Sequence, residues 1–239
     1  MARVRNFDKT RGLLLEAANQ LFASQGYDRT SVEAIIQQAR VSKGAFYHHF
    51  SSKQEILDAV TQRMTAEAMD VIRPAAADTS GGAVARLNRF FGASRTWSVA
   101  HFELLKEVLA VLYRDENTTM RRKIEAHTAA LSVPLLAGIV RQGIEEGVFD
   151  PPDVEVTVRM MLQLAWVTRE ANVRTLLESG TSSQTLTALQ KRADITLEML
   201  ERMLGAPKGS IERVNVFDTL PVEQPEQPIE RLVNQAGSK

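Results

Sequence analysis

Cysteine is missing from this chain of 239 residues, and its absence excludes disulfides, thiolate metal sites and a cysteine nucleophile. Long apolar runs are missing as well, because the longest, such as residues 108–112, are far too short to span a bilayer. The charged first residues lead into no apolar core of a signal peptide. These absences predict a cytoplasmic protein with no membrane segment.

Enzyme signatures are also missing. The sequence contains no G-x-S-x-G, no H-E-x-x-H and no glycine-rich phosphate loop. Two of the four histidines, His48 and His49, are adjacent, and adjacent residues on a helix diverge too far to share a metal. We expect no cofactor and no metal, and an all-helical enzyme is kept as a rival hypothesis.

The chain also lacks a net charge, because its 29 basic residues balance its 29 acidic ones. The balance hides an asymmetry along the chain. Residues 1–53 carry eight basic and four acidic side chains, whereas the remainder carries 21 basic and 25 acidic ones. A basic head on an acidic body indicates an anionic partner at the head.

Helical periodicity fills almost the whole chain, and no segment alternates convincingly like a strand, so we predict an all-α fold. The expected helices cover residues 8–25, 31–39, 43–50, 53–72, 83–97, 99–113, 117–146, 153–179 and 183–204, with a loop over 75–82. Pro134 is expected to kink or break its helix. The pattern predicts a three-helix head (1–52), a helical bundle (53–205) and a proline-rich tail (206–239) that is extended or partly disordered.

Residues 30–53 carry the most informative pattern. Thr30 and Glu33 form a predicted capping box, and Ser52 and Glu55 form another. Ser42 can cap a short helix between them. Two short helices joined by a tight turn predict a helix-turn-helix.

The second short helix has two distinct faces on a helical wheel. Phe46 and Phe50 share the face expected to be buried. The opposite face begins with small residues and becomes aromatic and basic, and such a helix can enter a major groove closely. The outer face and its flanks hold Gly44, Ala45, Tyr47 and His48, and His49 lies nearer the core.

The run Val41-Ser-Lys-Gly-Ala-Phe-Tyr-His-His-Phe50, with Lys53 and Ile56-Leu57, resembles the recognition segment of the TetR (tetracycline-repressor) family. The match covers about residues 8–60. The resemblance implies an all-α homodimer that binds double-stranded DNA at a pseudo-palindromic operator, most simply as a repressor. A small molecule bound in the second domain would control that binding.

Candidates for contact with DNA come mainly from the resemblance. Carried over position by position, they are Thr30, Lys43, Gly44, Ala45, Tyr47, His49 and Lys53. The wheel adds His48. The chain departs from the family at the inter-helix turn, where Arg40 replaces the usual glycine, and at Ile36, where the family tends to have alanine. If the turn needs a positive φ, Arg40 is strained by about 1 kcal/mol, or it adds a phosphate contact.

The second domain offers candidates for an effector site. Their apolar surroundings suit a mostly apolar or aromatic ligand with a few polar anchors. The candidates are Trp97, His101, His127, Arg159, Met160, Trp166, Arg169 and Glu170. Taken alone, each ionisable candidate is more typical of a surface or rim position, and each tryptophan or methionine is more typical of a core position. An alternative is control by a protein partner through the tail. An enclosed cavity of at least roughly a few hundred Å³ in the second domain would favour a small-molecule effector over a protein partner.

The helices over 153–179 and 183–204 are the expected dimer surface. The second has one broad apolar stripe, formed by Leu186, Leu189, Ala193, Leu197, Leu200 and Leu204 and widened by Ile195 and Met199. Such a stripe is wide enough to face its own domain on one side and a second copy on the other. A purely internal core is the alternative.

Overall fold

The structure, a computed structural model, describes residues 2–213, with side chains from Lys9 onward. Within these residues the regular elements are helices, and this confirms the predicted all-α fold. They are α1 (Ala2–Gln25), α2 (Val32–Ala39), α3 (Lys43–His49), α4 (Lys53–Ala77), α5 (Gly82–Ala100), α6 (Phe102–Leu112), α7 (Thr118–Glu145), α8 (Val154–Ser179) and α9 (Ser183–Leu204). A 3₁₀ turn, Asp115–Asn117, precedes α7.

Two hydrophobic cores organise these helices. The first lies beneath the head, where Leu14 and Phe22 of α1 meet Ile35 of α2, Phe46 of α3 and Ile56 of α4, each of them fully buried. It continues into α6. The head therefore packs directly on the second domain as well as connecting to it through the chain.

The second core fills the bundle. The far half of α4 contributes Ile72, and Leu87 of α5, Ile139 of α7, Val158 of α8 and Leu204 of α9 pack against the same cluster. Because α4 contributes residues to both cores, it is a rigid link between the head and the bundle.

The largest departures from the predicted boundaries are in α1, which begins at Ala2 rather than near residue 8, and in α4. α4 does not end near residue 72 but runs through Pro74 to Ala77, and the loop is correspondingly shorter than 75–82. The alanines after Pro74 favour helix, and Ala76 is fully buried, so packing outweighs the proline. α7 is likewise continuous through Pro134, where a break was one of the two expected outcomes.

The start of the predicted tail is also ordered. Ile211 is buried, and its amide donates to the Glu201 carboxylate at 3.0 Å. Asn88 of α5 donates to the carbonyl of Ser210 at 2.8 Å. Residues 206–213 therefore belong with the bundle, and the rest of the predicted tail, 214–239, lies outside the described residues.

One segment of the described residues, Asp115–Glu145, is long and apolar enough by length and composition alone to cross a membrane. It contacts α4, α5 and α8 within the bundle. Its first half also carries Arg121, Arg122, Lys123 and Glu125. These contacts and charges make it a helix of the bundle.

Candidate nucleic-acid interface

Serine side chains begin each of the three helices after α1. The hydroxyls of Ser31, Ser42 and Ser52 accept from the amides of Ala34, Ala45 and Glu55, at 3.0 to 3.1 Å. The prediction that Thr30 caps α2 was wrong by one residue. Thr30 is buried instead, and its hydroxyl donates to the carbonyl of Gly26 at 2.8 Å.

The turn between α2 and α3 is left-handed at Arg40, with φ 54° and ψ 43°. Among the described residues, Arg40 is the one non-glycine with positive φ. Its amide donates to the carbonyl of Gln37 at 3.1 Å, and the amide of Val41 donates to that of Ile36 at 3.2 Å. The turn thus has the conformation that favours glycine, and an arginine adopts it at a cost of about 1–2 kcal/mol.

α3 is anchored on one side and open on the other. Phe46 and Phe50 are buried, with ring centroids 6.0 Å apart. Lys43, Gly44, Tyr47 and His48 are exposed, whereas Ala45 and His49 are half-buried. The two faces agree with the predicted wheel, and the Lys43 ammonium lies 6.0 Å from the centroid of the Tyr47 ring. Lys43, Gly44, Tyr47 and His48 therefore form an exposed, basic and aromatic strip of α3, and the buried Phe46 and Phe50 hold the helix in place.

Lys53, which was predicted to contact a phosphate, is hydrogen-bonded to backbone carbonyls within the head. Its ammonium donates to the carbonyls of Tyr27 at 2.9 Å and Thr30 at 3.0 Å, and it lies 4.1 Å from the centroid of the Tyr27 ring. Burial lowers the pKa of the Lys53 ammonium, and the Asp28 carboxylate partly opposes that shift. The side chain therefore fastens the start of α4 to the segment between α1 and α2.

A group of polar contacts, called the latch, joins the head to the second domain. Its members are Tyr27, Asp28, Gln54, Arg114 and Asn117. The Arg114 guanidinium donates to both carboxylate oxygens of Asp28, to Oδ1 at 2.9 Å. Gln54 of α4 accepts from the Tyr27 hydroxyl at 3.0 Å and donates to Asn117 at 3.1 Å. The hydrogen bond from Arg114 lowers the pKa of the Asp28 carboxyl.

The latch and a contact of Arg11 were missed from the sequence. The Arg11 guanidinium lies 5.5 Å from the centroid of the Phe50 ring, so Arg11 supports α3 from behind. Asp28 and Arg114 are 86 positions apart in the chain. No local pattern links two such positions, although a charged residue at each end of the contact could have suggested a pair.

The eight effector candidates do not form one site in this structure. The ring of Trp97 stacks on that of His101, with centroids 4.4 Å apart, at the edge of the first core. His127 and Arg159 are exposed. Met160 is also exposed, so it does not line an interior pocket. Trp166, Arg169 and Glu170 lie together on α8, near Tyr113.

Two hollows lie beside the head, and both open to solvent. The larger, of about 450 Å³, is lined by Ala23, His101 and neighbouring residues of α5 and α6. The smaller, of about 210 Å³, lies between Gly26 and Arg114. Of the effector candidates, only His101 lines either of these two hollows.

α8 and α9 leave large apolar side chains exposed. Val167 is 66 % exposed and Met160 53 %, and Ile195 and Met199 of α9 are exposed to a similar degree. Leu186, Leu189, Leu200 and Leu204 of the predicted stripe are buried within the chain. The stripe therefore serves the internal core on one side and leaves Ile195 and Met199 uncovered on the other.

Comparison with known proteins places these features in a family. A sequence model described as "Bacterial regulatory proteins, tetR family" matches residues 14–60. The HTH-type transcriptional repressor KstR2 of Mycobacterium tuberculosis is 31 % identical over 169 residues, covering 66 % of this chain and 78 % of that protein. The HTH-type transcriptional activator FasR of Mycolicibacterium smegmatis is 40 % identical over 73 residues, covering 30 % and 33 %.

Solved structures share the fold over most of the chain. A transcriptional regulator from Cytophaga hutchinsonii superposes with a TM-score of 0.64 at 18 % identity, covering 81 % of this chain and 97 % of that one. SmeT, the repressor of a Stenotrophomonas maltophilia multidrug efflux pump, superposes with a TM-score of 0.59 at 21 % identity, covering 89 % and 100 %. The likeness extends beyond the head into the bundle.

Proposed function

This chain belongs to the TetR family of transcriptional regulators, and from that premise we propose that it is a homodimeric cytoplasmic repressor of a pseudo-palindromic operator, released by a small, mostly apolar effector. It is a DNA-binding regulator and not an enzyme. The observation that carries the proposal is the exposed strip of α3, which stands on a buried aromatic base. The choice of repressor follows the relative with the wider coverage, KstR2, over the activator FasR.

DNA contact is assigned to α3 and its flanking turn. Gly44 and Ala45 let the helix lie close to base edges, and Lys43 can reach a guanine or a phosphate. Tyr47, His48 and His49 can donate to phosphates, and Arg40 faces solvent at the adjoining turn. Thr30 and Lys53 act through structure, since both are bonded within the head.

A second copy is proposed to cover the exposed apolar face of α8 and α9. One helix-turn-helix makes few base contacts, so two copies related by a two-fold axis are needed for useful affinity. Two recognition helices would then enter successive major grooves about 10 bp apart, or at a spacing adjusted by groove geometry. Affinity should fall steeply with salt, because phosphate contacts release counterions.

Control by an effector is proposed to act through α4 and the latch. α4 spans both cores, and the Arg114–Asp28 pair ties the end of α6 to the head. A shift of the bundle helices would therefore change the separation of the two heads. Linkage requires that the effector bind the DNA complex more weakly by the same factor by which it weakens DNA binding.

A second candidate is a regulator controlled by a protein partner. The shape of the two hollows favours control by a protein partner, because both hollows open to solvent and neither is shaped to surround a small molecule. A thermal-shift ligand screen on the purified dimer, followed by titration of each hit into free and operator-bound protein, separates the two. The effector proposal expects at least a fivefold (~1 kcal/mol) lower affinity in the bound state. Equal affinity would mean that the hit is no effector.

A further inference from the structure

A group of polar side chains lies between the end of α6, the start of α7 and the middle of α8. Its members are Tyr113, Arg121, Glu125, Trp166 and Arg169, called here the junction cluster. Tyr113 is buried, and Arg121 and Glu125 keep only 20 % and 27 % of their side-chain surface exposed. Trp166 is half-buried and Arg169 is exposed, so the cluster reaches the surface on the side of α8.

The polar groups of the cluster are poorly satisfied by one another. Arg121 Nη1 is buried and has no hydrogen-bond partner among the described residues. Arg121 Nε lies 4.0 Å from Glu125 Oε1, which is too far for a hydrogen bond. The Tyr113 hydroxyl reaches only the carbonyl of Trp166, at 3.5 Å. Buried donors without partners are rare in native proteins, and each calls for a specific explanation.

The balance of charge favours an acceptor as the missing partner. Glu170 is already engaged by Arg174 at 3.0 Å, so it does not compete for Arg121. Burial raises the pKa of the Glu125 carboxyl, and the Arg121 guanidinium partly opposes that shift. No salt bridge to Arg169 is found among the residues with described side chains. The Arg121 guanidinium and the Tyr113 hydroxyl therefore have donor capacity to spare, and the exposed Arg169 adds a second positive charge near them.

We propose that the junction cluster is the polar end of the effector site and binds the carboxylate of an amphipathic acid, with Arg121 as its main anchor. This inference rests on the proposed function. The carboxylate accepts from Arg121 and from the Tyr113 hydroxyl, and the apolar body of the ligand lies along Trp166. A guanidinium that is partly desolvated binds a carboxylate more strongly than one in water.

The position of the cluster explains how such a ligand acts on the head. Tyr113 precedes Arg114 of the latch, and Arg121 lies one helical turn after Asn117, the partner of Gln54. A ligand that moves Tyr113 and Arg121 toward itself therefore moves Arg114 and Asn117, the two members of the latch that belong to the second domain. The release of Asp28 and Gln54 would change the angle of the head.

The test uses three probes with one chain length and different ends: decanoate, 1-decanol and decylamine. Binding to the full-length dimer is measured by isothermal titration calorimetry for the unaltered protein, for Arg121→Gln and for Arg122→Gln. Arg122 is an exposed neighbour on the same helix and serves as the matched control. Circular dichroism checks folding, and Arg121→Lys keeps the charge without the planar fork should Arg121→Gln not fold.

Decanoate is expected to bind at least about tenfold more tightly than decylamine, a difference of about 1.4 kcal/mol. Arg121→Gln is expected to remove that preference, with decanol affinity unchanged, and Arg122→Gln to keep it. Equal effects of the two substitutions, a preference for decylamine, or no binding of any probe would overturn the assignment. Operator binding is measured on the same samples, so that a protein that binds DNA but no decanoate loses this inference alone.

Discussion

The head and the bundle differ in how far their surfaces are completed within one chain. In the head, serine caps, the Lys53 ammonium and the Thr30 hydroxyl are bonded to backbone groups nearby, and the exposed strip of α3 stands on a closed core. In the bundle, Arg121 Nη1 has no partner among the described residues, and Val167 is 66 % exposed. Asn19 Oδ1 of α1 also has no partner among the described residues, so what separates the two regions is apolar surface. One chain completes the core under α3, whereas the bundle leaves an apolar face on α8 and α9 for a second copy.

The largest predicted effect comes from placing a charge on the apolar face of α8, which tests whether this face packs against a second copy. Val167→Glu places a charge where a second copy is proposed to pack, and we expect dissociation to monomer with at least about a hundredfold (~2.7 kcal/mol) loss of operator affinity. Analytical ultracentrifugation and fluorescence anisotropy measure the two effects. Val71→Glu, at an exposed valine of α4, is the control. A dimeric Val167→Glu protein would remove this face from the interface.

The second prediction concerns the exposed strip of α3. Lys43→Ala is expected to weaken operator binding by on the order of 1–3 kcal/mol, with a loss of sequence preference if the ammonium reads a base. Tyr47→Phe removes one donor and should cost about 1 kcal/mol. Lys9→Ala is the control, because Lys9 is exposed and belongs to α1, whereas Arg11 supports Phe50. If both substitutions bind as the unaltered protein does and fold normally, α3 is not the recognition helix.

The third prediction separates the head's internal bonds from its DNA contacts. Lys53→Met removes the donor to the carbonyls of Tyr27 and Thr30, and it should lower the free energy of unfolding by about 1–2 kcal/mol. The dependence of DNA affinity on salt should not change, since Lys53 makes no phosphate contact in this account. Denaturant unfolding and anisotropy at several salt concentrations measure both. A shallower salt slope would return Lys53 to the DNA surface.

The smallest predicted effect is at the turn. Arg40→Gly relieves the left-handed strain and should stabilise the head by up to about 1 kcal/mol, whereas Arg40→Ala keeps the strain and should not. Both variants lack the guanidinium, so an equal loss of DNA affinity in the two would assign a phosphate contact to Arg40. Thermal unfolding of the two variants compares the strain directly, and equal stability would mean that Arg40 sits in the turn without cost.

The sequence predicted the local features of the head and few of the contacts between distant segments. Helix periodicity and cap residues act over about four positions, so the two short helices, α2 and α3, and the exposed strip of α3 could be found. Thr30 and Lys53 were predicted to contact DNA, and the sequence could not show their bonds within the head, because a polar side chain near a helix start has two possible partners, DNA or nearby carbonyls. The fold shows the bonds to carbonyls.

The bundle was harder to predict because tertiary packing decides its details. The helix through Pro74 is held by the burial of Ala76, and residues after Gly205 are held by Ile211 and Glu201. The latch joins Asp28 to Arg114 across 86 positions. None of these contacts has a periodic signal, and the same packing decides which of the effector candidates lie near one another.

The central claim is that two copies of this chain read DNA with α3. The most direct test is selection of bound sequences from random duplex DNA by the purified full-length protein. The account predicts enrichment of an inverted repeat whose half-site centres lie about 10 bp apart, or at a spacing adjusted by groove geometry, and loss of that enrichment with Lys43→Ala. Enrichment of a single unrepeated site, or of no sequence at all, would contradict it.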